Sequence, residues 1–278
     1  MTIKVKALFK VMSDMIAFRD DVTGGHLSRT SLYLEVLICR MAKRGLYSNI
    51  VSQWDLTLLL GSASLHDIGK IAISEKILYK PGKLTEEEFE TIKTHTVLGV
   101  EILDRIEIPA EEKHCVHYAR SIAGSHHEKW DGTGYPDGAY GLHIPLEGRL
   151  MAIADVYDAL ISNRPYKRAL LPAEAAVIIE EGSGTHFDPR LVDIFHDVAH
   201  IFEVIASANV GRHTEAYGVK ETHMPRSDGA AAGQEAPDRP FPVRTPDRLL
   251  RKCHNERLCR DLLSKGHLKH CATLAPAL

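Results

Sequence analysis

The chain has 278 residues and a mass of 30.9 kDa, with 44% hydrophobic and 26% charged residues, a globular balance that excludes wholesale disorder and fibrous repeats. Its longest nearly apolar run, Leu56–Leu65, is far short of the roughly 20 residues that span a bilayer, and Met1–Lys10 is not followed by the apolar stretch of a secretion signal. The formal charge of -3 is unevenly spread: residues 1–205 hold 22 Lys and Arg against 29 Asp and Glu, a net of -7, whereas 206–278 hold 12 against 8, a net of +4. An acidic body argues against a nucleic-acid duplex as partner, because phosphate neutralisation needs positive surface.

Met1–Arg19 places Val5, Leu8, Phe9, Met12, Met15 and Ile16 at helical spacing. This amphipathic first helix serves packing within the domain or a homodimer equally well. Asp20–Gly25 reads as a loop. A second helix is predicted from about His26 to Lys43 and a third over Trp54–Leu65. Pro81-Gly82 marks a turn. Thr85, followed by Glu86, Glu87 and Glu88, is an N-cap with an acidic first turn, opening a helix to about Leu103. Further helices are predicted over about Ala110–His127 and Glu147–Ser162, separated by the Gly/Pro-rich loop Asp131–Pro145, and then after Pro172 and Pro189. No alternating strand pattern appears, so residues 1–205 are predicted to form an all-α domain. From 206 to 247 the chain turns to Gly, Ala, Pro, Asp and Arg without periodicity, which reads as a flexible linker. Leu249, Leu250, Leu258, Leu262 and Leu263 restore some helical character, so 206–278 is expected to be a flexible basic tail with a short helix near 248–265.

The five Cys are odd in number and lack regular spacing, which points to a reducing cytoplasm rather than a disulfide framework. Cys39 and Cys115 fall in helical apolar patterns. In the tail, Cys253, His254, Cys259, His267, His270 and Cys271 match no strong zinc spacing.

The chemistry is carried by histidines beside carboxylates. His66-Asp67 lies in Ser64-Leu-His-Asp-Ile-Gly-Lys70, His126-His127 ends a helical run, His26 follows a Gly-Gly turn, and His95 sits mid-helix in Lys93-Thr-His-Thr96. Adjacent helical residues diverge by about 100°, so His66 and Asp67 suit two ions better than one, with the carboxylate bridging. Asp155 interrupts the apolar run Ala152-Ile-Ala-Asp-Val-Tyr-Asp158 and needs a cation or hydrogen bonds to be buried there. Mixed imidazole and carboxylate donors favour Fe, Mn, Zn or Ni over Ca or Mg. Two such ions about 3.5–4 Å apart clamp a phosphoryl group for in-line attack. His114, His117, His143, His196 and His200 read as packed or surface residues.

The ordered strings His66-Asp67-Ile-Gly-Lys70, Lys80-Pro-Gly-Lys-Leu-Thr85, His126-His-Glu-Lys-Trp-Asp-Gly-Thr-Gly-Tyr-Pro136, Arg164-Pro-Tyr-Lys167 and Gly184-Thr-His-Phe-Asp-Pro189 closely resemble the HD-GYP subgroup of the HD phosphohydrolase superfamily, bacterial cyclic di-GMP phosphodiesterases. The resemblance spans about Ala17 to Phe202. It implies an HD-domain helical bundle around a central metal centre of two divalent cations, iron or manganese. It implies that His26, His66, Asp67 and Asp155 hold one ion, and that Asp67, His95, His126 and His127 hold the other. It also implies that Lys70, Arg164 and Lys167 contact phosphate, that Tyr135 lines the substrate site, and that the Tyr135 loop meets partner proteins such as GGDEF-type domains. Asp158, one turn beyond Asp155, is expected to support a ligand or a substrate-contacting cation from behind. Asp67 and Lys70 are the expected catalytic residues.

One position departs from the pattern. Members with a third ion carry Glu four residues before the first His, where this chain has Val22. Valine cannot ligate a metal, so two ions are expected, with hydrolysis of cyclic di-GMP stopping mainly at linear 5′-pGpG rather than continuing to GMP. Two other functions stay open on the sequence: a degenerate, non-catalytic nucleotide sensor or adaptor acting through the Tyr135 loop, and the same chemistry on cyclic GMP-AMP or another phosphate ester.

Overall fold

The computed structural model describes residues 3–19, 25–107, 113–163 and 168–216. Among these residues the only extended pairing is an isolated bridge between Ser183 and Phe187; the rest is helix and connecting turn, as the all-α expectation requires. The helices are α1 (Ile3–Arg19), α2 (His26–Lys43), α3 (Ser48–Val51), α4 (Leu56–Ala63), α5 (Glu75–Leu78), α6 (Glu86–Lys93), α7 (His95–Asp104), α8 (Lys113–Ser125), α9 (Leu146–Ile161), α10 (Pro172–Glu181) and α11 (Pro189–Ala216), with 3-10 turns at Ile68–Ala72 and Gly141–His143.

Local chemistry sets several of these boundaries. Asp55 caps α4 by accepting from Leu58 N–H at 3.1 Å. Thr85 and Glu88 form a reciprocal capping box, with Glu88 N–H donating to Thr85 Oγ1 (3.2 Å) and Thr85 N–H to Glu88 Oε2 (2.7 Å). Pro172 opens α10 at a position whose N–H has no helical partner anyway.

Helix α2 forms the centre of the bundle and packs against α11, α9 and α4. Tyr33 from α2 stacks on Phe202 of α11 at 4.3 Å and meets Tyr157 of α9 edge-on at 5.4 Å. All three rings are buried, with Phe195 beside Phe202. Burying a side chain of this size contributes about 1.5–3 kcal/mol. A buried ion pair ties the start of α9 to the start of α11: Arg149 Nη1 donates to Asp188 Oδ2 at 2.6 Å, and Tyr47 O–H donates to the same oxygen at 2.7 Å.

The structure corrects three expectations. The single helix predicted to about Leu103 is two, divided at Thr94. Here three side chains take carbonyls that a continuous helix would use: Thr94 Oγ1 bonds Thr91 O (2.6 Å), His95 Nδ1 bonds Ile92 O (2.7 Å) and Thr96 Oγ1 bonds Lys93 O (2.9 Å). His95 therefore opens a helix instead of lying within one. Secondly, His66 and Asp67 are not on a helix: α4 ends at Ala63, and the pair occupies the turn that leads into the 3-10 segment. The last helix also continues to Ala216, past the compositional change at 206. The expected tail helix near 248–265 lies outside the described residues, as does the side chain of Cys115, while Cys39 is a buried free thiol.

Candidate metal centre

Several separate elements converge on Asp67. The turn after α4 supplies His66 and Asp67, the first residue of α7 supplies His95, the end of α8 supplies His126 and His127, and the start of α2 and the middle of α9 supply His26 and Asp155. Close approach depends on Gly69. A Cβ there would collide with the carbonyl oxygen of His95 and stand 2.5 Å from the Gly99 nitrogen, so only glycine lets the 3-10 turn lie against α7.

Two donor groups result. One unites Asp67, His95, His126 and His127; the other unites His26, His66 and Asp67. Asp67 is common to both, with Oδ1 3.3 Å from His95 Nε2 and 3.8 Å from His126 Nε2, and Oδ2 3.1 Å from His66 Nε2. His26 Nε2 stands 3.4 Å from His66 Nε2. Asp155 Oδ1 faces both, at 3.6 Å from His26 Nε2 and 3.7 Å from His66 Nε2.

The far nitrogens are held from behind. His66 Nδ1 bonds Ala63 O (2.9 Å), His95 Nδ1 bonds Ile92 O (2.7 Å), and His126 Nδ1 bonds Ile122 O (3.0 Å). Each such bond engages Nδ1 as a donor and turns Nε2 inward, the orientation a metal ligand requires. His26 differs: its Nδ1 meets Asp158 Oδ2 at 2.7 Å, and Asp158 is fully buried.

Electrostatics favour a cation at this place. Asp67 Oδ1, His95 Nε2 and His126 Nε2 are buried without a hydrogen-bond partner, which is costly for polar atoms unless a ligand completes them. Burial, aided by the neighbouring His66, pushes His126 down to about 3, and burial with His126 beside it holds His127 well below the usual imidazole range. Both rings are therefore neutral at pH 7. Burial opposes a charge on His66, yet the adjacent Asp67 and Asp155 outweigh it and raise its pKa to about 9. Burial likewise opposes ionisation of Asp67, but Lys70 and His66 keep it well below the ordinary carboxylate value. Two carboxylates that draw positive charge, beside neutral imidazoles with inward lone pairs, form a donor set suited to Fe, Mn or Zn. The residues present fit a pair of divalent cations.

Lys70 Nζ donates to Asp67 Oδ2 at 2.8 Å. This i, i+3 contact in the 3-10 turn brings the Lys70 ammonium to the same cluster. Tyr135 reaches the cluster too, its ring 4.8 Å from His127 and 6.4 Å from His95. The loop bearing it is tied down at several points. Tyr135 N–H donates to His127 O (3.1 Å), and Trp130 N–H and Asp131 N–H donate to His186 O and Thr185 O at 3.0 and 2.9 Å. Glu128 Oε1 accepts from Asp137 N–H at 2.8 Å. Arg164 and Lys167 lie outside the described residues, as does Val22.

Two participants escaped sequence reasoning. Glu128 anchors the Tyr135 loop although it reads as one more charge in a polar string. Arg29 is 8% exposed and grips Asp158 through two bonds, Nε to Oδ1 (2.6 Å) and Nη2 to Oδ2 (2.8 Å). The available signal was spacing: His26 and Arg29 on α2, and Asp155 and Asp158 on α9, are both i, i+3 pairs on facing helices.

Known proteins similar to this chain share an HD domain or carry phosphodiesterase names. A family profile described as an HD domain matches residues 10–191. A cyclic di-GMP phosphodiesterase of Vibrio cholerae is 46% identical over 196 residues, which is 70% of this chain and 40% of that protein. A cyclic di-GMP phosphodiesterase of Thermotoga maritima is 38% identical over 188 residues, 68% of this chain and 48% of that protein. A 3′3′-cGAMP-specific phosphodiesterase of Vibrio cholerae is 38% identical over 201 residues, 72% of this chain and 36% of that protein. The chain spans less than half the length of each of these relatives.

Proposed function

Because this chain belongs to the HD domain family, we propose that it is a metal-dependent phosphodiesterase that opens cyclic di-GMP to linear 5′-pGpG, with onward cleavage to GMP a minor step. The observation that carries the proposal is the Asp67 carboxylate shared by two groups of inward-facing imidazoles. His26, His66, Asp67 and Asp155 would hold one cation; Asp67, His95, His126 and His127 would hold the other. Iron and manganese fit this donor set. When bound, such a pair supplies Lewis acidity toward the scissile phosphate and lowers the pKa of an attacking water.

The protein's own residues do the rest. Asp67 fixes the spacing of the two donor groups. Lys70 places an ammonium beside Asp67, where it faces negative charge that grows on the phosphoryl oxygens in the transition state. Tyr135 offers an aromatic face next to His127 on which a guanine can stack. Arg164 and Lys167 are assigned to the substrate phosphates through the family resemblance of their string.

A cytoplasmic location, a homodimer and a GGDEF-type partner belong to the same reading. Leu8, Val11, Met15 and Phe18 form an exposed stripe on α1 at 3-4-3 spacing, which suits a second copy of this helix. Tyr140 and Leu142 are exposed beside the Tyr135 loop and suit a protein partner. Light scattering of the purified chain tests the dimer.

The relative specific for 3′3′-cGAMP favours that dinucleotide as a second substrate. Incubating Mn(II)- or Fe(II)-loaded protein with each cyclic dinucleotide separately, with products resolved by chromatography, distinguishes the two. Turnover of cyclic di-GMP to pGpG is expected. Turnover of 3′3′-cGAMP alone moves the assignment to that substrate, and turnover of neither, with both ions bound, supports the non-catalytic adaptor.

A further inference from the structure

The histidines of the two donor groups are not held in the same way. His95 and His126 are braced by helix carbonyls, which cannot move without unwinding their helices, and His66 by the carbonyl of Ala63. His26 alone among these four is braced by a side chain, the Asp158 carboxylate. Among the described residues, that carboxylate is met by the side chains of His26, Arg29 and Ser162, and its plane is set by Arg29. The guanidinium spans both oxygens (2.6 and 2.8 Å) and also donates to Ser162 Oγ at 3.1 Å. A two-point fork fixes a carboxylate's plane as a single bond cannot.

We infer that Arg29 is a positioning residue for one ion only: through Asp158 it aims His26 Nε2 at the site shared with His66 and Asp155, and it has no hold on the site of His95, His126 and His127. This rests on the two-cation reading and extends it to a residue outside the ligand set. The side chain is buried and touches neither ion's donor atoms directly, so its action is through orientation. Partners of a metal-bound histidine are commonly worth about 10- to 100-fold in metal affinity.

The test uses the full chain stripped of metal and titrated with Mn(II) by calorimetry. The parent should show two binding events. Arg29→Gln should weaken one of them about 10- to 100-fold and leave the other unchanged. The same substitution should further weaken binding in a His127→Ala background, where the affected ion remains, and add little in a His26→Ala background. If Arg29→Gln does not fold, Arg29→Lys serves, since it keeps the charge and loses the fork; its loss should again fall on one ion. Two unchanged events, or two events weakened in parallel, overturn the role of Arg29. A parent that binds fewer than two ions overturns the two-cation reading itself, a different result. Because the readout is metal affinity, absence of turnover on any dinucleotide leaves this inference intact.

Discussion

Gly69→Ala tests how the centre is assembled. The new Cβ would stand 2.5 Å from the Gly99 nitrogen, where 3.4–4 Å is ordinary, and would collide with His95 O. Both obstacles are backbone atoms of one helix, so no side chain can swing aside. The 3-10 turn must therefore back away from α7 by about 1 Å. Overpacking of this kind costs about 1–3 kcal/mol, which lowers Tm by about 3–10 °C for a domain of this size. The same movement separates Asp67 Oδ1 from His95 Nε2, now 3.3 Å apart. A misplacement near 1 Å commonly costs about 100-fold in rate. Gly99→Ala is the control from the other side of the contact. Its Cβ would meet Gly69 N at 3.3 Å, Ile68 Cγ2 at 3.4 Å and Ala123 Cβ at 3.6 Å, separations that small shifts absorb. Thermal melts by circular dichroism and metal content by elemental analysis read both variants. A Gly69→Ala protein that melts with the parent and holds its full metal complement would show that the turn does not need glycine to lie against α7.

Other outcomes follow from the same geometry. Asp188→Ala leaves Arg149 buried without its partner, which costs about 3–5 kcal/mol and should lower Tm by about 10 °C or more, while the metal donors stay untouched; a melt within about 2 °C of the parent, the shift of 1 kcal/mol or less, would contradict it. Tyr135→Ala should raise KM about tenfold through lost stacking and leave metal content unchanged; an unchanged KM removes Tyr135 from the substrate site. For chelator-treated protein the pH dependence has a definite sign. His126 and His127 have folded pKa values below the unfolded 6.5, with His126 at about 3, so below pH 6.5 the unfolded chain binds protons that the folded chain does not. Their contribution to stability is full above about pH 6.5 and falls progressively from there toward pH 3. Melts that stay flat between pH 6.5 and 4 would show that these rings are not buried neutral.

Much of the site was legible because its donors come in chemically unusual strings. His66-Asp67 and His126-His127 stand out in any apolar context, and Asp155 is conspicuous inside an apolar run. The helix borders at Thr85 and Pro172 carry their own capping chemistry. What the letters hide is tertiary. Thr94 gives no warning of a break, because helical periodicity persists across it; the break arises when Thr94, His95 and Thr96 each take a carbonyl. Gly69 reads as an ordinary small residue until α7 lies against it. The partner of Arg29 on α2 is Asp158 on α9, 129 residues further along the chain. The short helices α3 and α5 have four residues each, too few for a periodic pattern to register.

The proposed two-cation centre turns on one carboxylate, Asp67, which is common to both groups of donors. Elemental analysis of the parent and of Asp67→Ala, both loaded anaerobically with Fe(II) or Mn(II) and then desalted, addresses that arrangement most directly. Two ions per chain are expected in the parent, and the variant should lose both, together with all turnover. An Asp67→Ala protein that keeps two ions would contradict the shared role of Asp67.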